Sequence, residues 1–236
     1  MYKSKLLTVD NHKTIKGEKL GYKTYILYLS PYNQNSKGIN ICPHASEGCS
    51  KACLFKSGMG GMYKHVMNGR INKTEWFLSD RKEFMETIDK EINLAIKRHS
   101  DKIVTFRLNG TSDIRWEKIK VRENKNIFEL YPDIQFYDYT KNPIRMKLDI
   151  PNYHLTFSRS ENNHKIAMKL LSEGHNVAIV FKNIPTEYNG YEVINGDESD
   201  LRFLDKKGVI VGLKYKNNTG KNADNKVAFT SGFAIA

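Results

Sequence analysis

The sequence is short of the features that staple, anchor or activate most small proteins. Its 236 residues include three cysteines, an odd and small number that argues against a disulfide framework and suits a reducing compartment. No run of about 18 apolar residues occurs, so hydropathy excludes a transmembrane helix. The first twenty residues, MYKSKLLTVDNHKTIKGEKL, hold no apolar h-region of a secretory signal. There is no Gly-x-Ser-x-Gly elbow and no His-Glu-x-x-His pair, which leaves hydrolase readings unsupported. Gly58-Met59-Gly60-Gly61 is glycine-rich but lacks the Lys-Ser/Thr ending of a P-loop. No internal repeat, Pro-rich linker or low-complexity block divides the chain. One soluble intracellular domain over residues 1–236 is the expectation.

What the sequence has is aromatic mass and positive charge. Mean hydropathy is low, at −0.58, yet 11 Phe, 13 Tyr and 2 Trp are too many for a disordered chain. The net charge is +12 and the pI near 9.4, values that invite a nucleic-acid partner. The basic residues are spread evenly, however, with no arginine-rich run and no basic–aromatic stripe. Lys far exceeds Arg and Asn is abundant, as an A+T-biased coding sequence would give, so nucleic acid is the less favoured partner.

Short apolar runs alternate with amphipathic stretches. The candidate strands are Tyr22–Leu29, Gly38–Ile41, Ile103–Leu108, Ile134–Tyr139, Tyr153–Phe157, Val177–Phe181, Tyr191–Ile194 and Val209–Leu213. Several are continuously apolar, as a parallel strand covered on both faces requires. Ser79 is placed to cap a helix with Asp80 in its first turn, and Phe84, Ile88, Ile92 and Ile96 then recur every four residues. Asn163–Glu173 forms a second helix ending at Gly174. This alternation predicts right-handed β/α crossovers. The fold expected is α/β: a single-domain partial (β/α) barrel with a core over residues 38–215. Residues 1–37 form an N-terminal strand or hairpin extension, and residues 216–236 a closing segment.

All three cysteines fall between Cys42 and Cys53, spaced Cys-x6-Cys-x3-Cys in a loop containing Pro43 and Gly48. Three thiolates so placed satisfy three irons of a 4Fe–4S cluster and leave the fourth open. A zinc site is the alternative, with His44 or His65 completing Cys3His, although the Cys-x2-Cys knuckle of most zinc ribbons is missing. The bland alternative is three cysteines packing as small apolar residues. Such clustering is improbable without a shared task.

Four stretches carry a family resemblance. They are Cys42-Pro43-x-Ala45-Ser46-x-Gly48-Cys49-x3-Cys53, Arg70-x2-Lys73-Thr74-x2-Phe77-x2-Asp80, Arg107-Leu108-Asn109-Gly110-Thr111-Ser112-Asp113-Ile114 and Phe136-Tyr137-Asp138-Tyr139-Thr140-Lys141. Together they resemble the phage gene-product-88-like family, and that resemblance implies a protein of the host-cell cytoplasm. More distantly the chain is similar to the radical S-adenosylmethionine superfamily. That similarity implies an incomplete parallel barrel, a cluster at its C-terminal mouth and S-adenosylmethionine as a possible second cofactor. The superfamily's usual loop is Cys-x3-Cys-x2-Cys, shorter in both gaps than this one. Its Gly-Gly-Glu motif has only Asn109-Gly110 as a counterpart.

Functional groups in parallel β/α folds gather at the C-terminal ends of strands. Those ends nominate Arg107, Asn109, Ser112, Asp113, Lys141, Ser158, Glu161 and Lys214 as cofactor-binding residues, beside Cys42, Cys49 and Cys53 as metal ligands. Arg70 and Lys73 could neutralise a cluster, or simply form ion pairs on a solvated helix face. His44, Asp113, Glu161 and Asp197 are the protein groups that could reach the fourth iron. A small anion or carboxylate held by Arg107, Lys141 and Lys214 is the favoured occupant. A phage or host protein is the remaining partner class. The bland reading of each strand-end residue is an ordinary polar loop, with Ser112 and Ser160 as helix caps.

Overall fold

The computed structural model describes residues 5–9, 14–53, 62–218 and 225–236. The glycine-rich stretch Gly58–Gly61 lies outside them. The architecture is mixed α/β on a large, mostly parallel sheet. The chain divides into two compact units.

The first unit comprises Met1–Cys42, Met67–Asp138 and Asp149–His154. Its strands are β1 (Leu7–Thr8), β2 (Tyr22–Leu27), β3 (Ile103–Arg107) and the first four residues of β6 (Gln135–Thr140), in that order across the sheet. β1 runs antiparallel to β2, while β2–β3 and β3–β6 are parallel. The expected N-terminal extension thus contains an antiparallel strand pair, with α1 (Thr14–Glu18) between its strands in the chain, and β2 is itself a parallel strand of the sheet. Aromatic rings step across these strands, Tyr25 to Phe106 at 5.7 Å and Phe106 to Phe136 at 5.6 Å between centroids.

Helices α3 (Lys64–Ser79) and α4 (Arg81–Arg98) supply the cover. The cap between them is Asp80, whose carboxylate accepts from the Glu83 N–H at 2.9 Å. Ser79, the residue expected there, instead closes α3. The predicted stripe holds for Phe84, Ile88 and Ile92, all fully buried. It then passes to Ala95 rather than Ile96, since a 3.6-residue helix drifts off a strict four-residue step.

One expected strand is absent. Gly38–Ile41 is a loop whose backbone is claimed locally: Asn35 Oδ1 accepts from the Ile39 N–H, and Asn35 Nδ2 donates to the Ile39 carbonyl. Gly38 sits at φ +62°, outside strand geometry. The cysteine loop consequently follows a turn, within the connection from β2 to β3. An excursion between β3 and β6 carries the small hairpin of β4 (Lys120–Arg122) and β5 (Lys125–Asn126), then α5 (Ile127–Leu130) with an Asn126–Glu129 capping box.

The second unit comprises Pro43–Val66, Tyr139–Leu148 and Leu155–Ala236. It holds most of β7 (Tyr153–Ser158), then β8 (Val177–Phe181), β11 (Ile210–Lys214), β10 (Tyr191–Asn195) and β9 (Glu187–Tyr188) in sheet order. The β9–β10 pair is antiparallel, joined through Asn189-Gly190 with φ of 52° and 78°, the Asn-Gly hairpin geometry. α6 (His164–Ser172) buries Ala167, Leu170 and Leu171 in a cluster with Phe157, Val177, Ile179 and Ile210, and Gly174 follows at φ +87° as expected. The chain ends in α7 (Val227–Thr230) and a short extended segment whose Ile235 bridges Phe181 in parallel. Both lie within residues 216–236, the segment expected to close the fold, of which 219–224 fall outside the described residues.

Candidate functional site

The cysteine loop folds around α2 (Glu47–Lys51), a helix of five residues. A helix this short does not hold itself together in water, and this one is fixed from outside at both ends. Ser46 is its N-cap, with Oγ accepting from the Cys49 N–H at 3.2 Å. The same hydroxyl donates to Glu161 Oε2 at 2.7 Å, while Glu161 Oε1 accepts from the Gly48 N–H at 2.7 Å. One carboxylate thus satisfies one orphan amide and braces the cap that satisfies another. At the other end Asn218 Nδ2 donates to the Lys51 carbonyl at 3.2 Å. Along the exposed side Lys51 pairs with Glu47 at 2.6 Å and lowers that carboxyl's pKa.

Gly48 is required by a close approach. A Cβ there would stand 2.5 Å from Ser231 Oγ and 2.8 Å from both Glu161 Oε1 and Phe233 Cβ. Cys49, half-buried, packs beside Ala52, Ala228, Phe233 and Ala234. The C-terminal turn is held in turn by Arg159, whose Nη1 donates to the Gly232 carbonyl at 2.5 Å and the Phe233 carbonyl at 2.9 Å. Burial lowers the Arg159 pKa, against the opposing pull of Tyr188 and Glu161. Lys141 Nζ donates to Ser158 Oγ at 2.7 Å and lies 5.8 Å from the Phe233 ring centroid. Lys141, Ser158 and Glu161, nominated by their places at strand ends, therefore come together with Cys49 around Phe233. Asn163, not Ser160, stands at the N-cap of α6, and its amide ties down Ser160 N and Ser158 O.

The first unit's nominated residues form a different construction. Asn109, 3% exposed, is a hydrogen-bond hub. Its Oδ1 accepts from Ser112 Oγ, Ile114 N and Trp116 Nε1 at 2.8, 2.9 and 3.1 Å. Its Nδ2 donates to the Ile114 carbonyl, and its backbone N–H goes to Asp138 Oδ1 at 2.8 Å. Tyr153 donates to the other Asp138 oxygen. Ser112 is thus a buried strut rather than a cap. Gly110 allows the turn: a Cβ would lie 2.7 Å from the Leu27 carbonyl oxygen. Cys42, half-buried, has its thiol 3.8 Å from the Thr111 carbonyl, and the adjoining Ile41 carbonyl accepts from the Asp113 N–H. Arg107 is buried over the Tyr137 ring.

The other nominees are spread out. Lys214 is exposed, and its backbone N–H donates to Asp197 Oδ2. Asp197 also pairs with Lys216 at 3.6 Å. His44 and His65 are exposed. Lys73 on α3 donates to the Leu6 carbonyl at 2.8 Å, and Arg70 lies over Tyr28. Thr74 takes the Ser30 N–H, so this helix motif anchors the N-terminal strands. Among the described residues, no three His, Cys, Asp or Glu side chains form a group that could hold a metal ion. Nor does any helix among them have the length and apolarity to cross a membrane. Ser46, Arg159 and Asn218 are not among the residues nominated from the sequence; a serine before a glutamate is a local cap pattern that could have marked the first, and nothing local marks what the other two hold.

A mixed α/β protein on a mostly parallel sheet, with a cysteine helix clamped by strand-end residues, is the class these features define. The chain belongs to the gene product 88 family, whose model matches residues 5–231. No curated protein and no solved structure matches it.

Proposed function

We propose that the chain is an iron–sulfur protein that binds one 4Fe–4S cluster through Cys42, Cys49 and Cys53, with one iron left to a non-cysteine ligand. The carrying observation is that the chain's only three cysteines occupy twelve consecutive residues, with Cys49 on a helix whose ends are fixed by residues far away in sequence. Such a helix is worth fixing if its thiol shares a task with the other two. The apolar backing of Cys49 by Ala52, Ala228 and Phe233 and the nearby Lys141 ammonium suit a negatively charged cluster that water degrades. Since no three-ligand group stands assembled among the described residues, loading has to draw the thiols together, as in metal sites whose binding is coupled to folding.

Lys141 and Ser158 then offer a charge-assisted donor pair to a small anion or carboxylate on the open iron. S-adenosylmethionine on a radical-enzyme-like barrel would make the protein a catalyst in the host cytoplasm. A non-catalytic accessory protein, with a protein or nucleic-acid partner, is the second reading. It is favoured by the way Asn109, Arg159 and Glu161 spend their polar groups on the fold itself.

Anaerobic reconstitution tests the cluster. Iron and sulfide near four per chain with a visible absorption that bleaches on reduction are expected, and stoichiometric zinc without sulfide would overturn the proposal. Lys141→Ala should change the cluster's spectrum or its response to added carboxylates while iron content stays near wild type. A His44→Ala change that perturbs the spectrum instead assigns the fourth ligand to the protein. Release of 5′-deoxyadenosine on adding S-adenosylmethionine and a reductant separates the catalyst from the accessory protein.

A further inference from the structure

We propose that Glu161 is a positioning residue for the cysteine helix. Together with Arg159's hold on the C-terminal turn, it keeps α2 wound and so sets how readily Cys49 and Cys53 react or ligate. The inference deepens the metal reading only in that these two cysteines are its ligands; the clamp acts on α2 with or without metal. The geometry is direct. Both oxygens of Glu161 are committed to α2, one to the Gly48 N–H and one to the Ser46 hydroxyl that caps Cys49 N. These bonds are charge-assisted, the strong class, and they act on a helix with almost no stability of its own.

The second part of the clamp is the C-terminal turn. Gly48 lies so close to Ser231 and Phe233 that a single added carbon would collide. Ser231 Oγ accepts from the Phe233 N–H at 3.3 Å, and Ala234 N donates to the Ala228 carbonyl at 2.7 Å, closing the turn on itself. Arg159, 7% exposed, fixes the Gly232 and Phe233 carbonyls. Glu161 and Arg159 are two residues apart just beyond β7, so one strand end places the helix directly and the turn behind it. Local opening of α2, which uncovers Cys49 and releases the chain that leads to Cys53, has to break these contacts first.

The test is the alkylation rate of each thiol in metal-free, reduced full-length protein, resolved by peptide mass spectrometry. Cys42 belongs to a separately anchored stretch and serves as the internal control. Glu161→Gln and Ser46→Ala should raise the rates at Cys49 and Cys53 about tenfold relative to Cys42, the size expected when a charge-assisted bond is lost. Ser46→Thr, which keeps the cap hydroxyl, should restore the wild-type ratio. Arg159→Lys should raise the same two rates by weakening the turn. Unchanged Cys49 and Cys53 rates in Glu161→Gln, or a parallel rise at Cys42 that marks general loosening, would overturn the positioning role. Iron and sulfide loading of the wild type is scored separately, so a protein that takes no cluster defeats the metal reading without touching this result.

Discussion

The two units spend their strand-end polar residues differently. In the first, Asn109 gathers Ser112, Ile114, Trp116 and Asp138 into a closed network that locks one turn. In the second, Glu161 and Arg159 reach outward to a short helix and a C-terminal turn, while Lys141, bonded to Ser158, lies over Phe233. A closed network gives rigidity and leaves little to offer a ligand. An outward set fixes an element that could not hold itself, and chemistry can be placed on it. The cysteine helix is in the second unit, which is why that unit is the better candidate for function even though two of the four family stretches, Arg70–Asp80 and Arg107–Ile114, lie in the first.

The largest expected effect comes from opening the closed network. Asn109→Leu strands the buried Ser112 hydroxyl, the Ile114 N–H and the Trp116 indole N–H together, and should cost about 3 kcal/mol or more. Urea denaturation measures it. Asn109→Asp, which keeps an acceptor at Oδ1, should cost clearly less. If the two variants are equally stable, the hub is not the turn's organising centre and the contrast between units weakens.

The two glycines sharpen the contrast further. At Gly110 an added carbon meets the Leu27 carbonyl, part of the sheet backbone; at Gly48 it meets the Ser231 hydroxyl, which can rotate, and the Phe233 Cβ, which moves only with the C-terminal turn. Gly110→Ala should therefore cost about 2–3 kcal/mol by straining the sheet, and Gly48→Ala about 1–2 kcal/mol by pushing the C-terminal turn aside. The second variant should nonetheless show the larger change in Cys49 alkylation. Equal thiol reactivity in the two variants would mean that α2 is not read out separately from the rest of the fold.

Much of the sheet was legible because β8 and β11 are apolar runs bounded by polar turns, and burial on both faces permits little else. Gly38–Ile41 misled because its Ile39 and Ile41 read as a strand, while the deciding groups were the Asn35 amide and a left-handed Gly38. Asp80 rather than Ser79 takes the cap because α3 runs on through Ser79, leaving the first non-helical backbone at Asp80. Glu161 stands out in the sequence as a strand-end group, but its partner does not, because Gly48 lies 113 residues away and no local period encodes that contact. Asn109 reads as a ligand group; nothing in Arg-Leu-Asn-Gly-Thr-Ser-Asp shows that its amide is consumed by its own turn.

The smallest expected effect is a pH slope that only one unit should show. Each unit buries a cation against main-chain carbonyls: Lys73 on the Leu6 carbonyl, and Arg159 on those of Gly232 and Phe233. Burial lowers the pKa of both, with Glu91 partly offsetting it for Lys73. Lysine can release its proton in an accessible range, whereas arginine stays charged. Below the lowered Lys73 value both folded and unfolded chains hold the proton, and the slope is flat. Between that value and the ordinary lysine value of 10.5 the unfolded chain holds more protons, so stability rises with pH across this window. Urea midpoints taken as the pH approaches 10.5 from below should therefore climb more steeply in the wild type than in Lys73→Met. Arg159→Met should leave the slope as it is while lowering every midpoint. A Lys73→Met slope identical to the wild type would show that this ammonium remains solvated, and that the first unit is less tightly closed around its N-terminal strands than the Leu6 hydrogen bond implies.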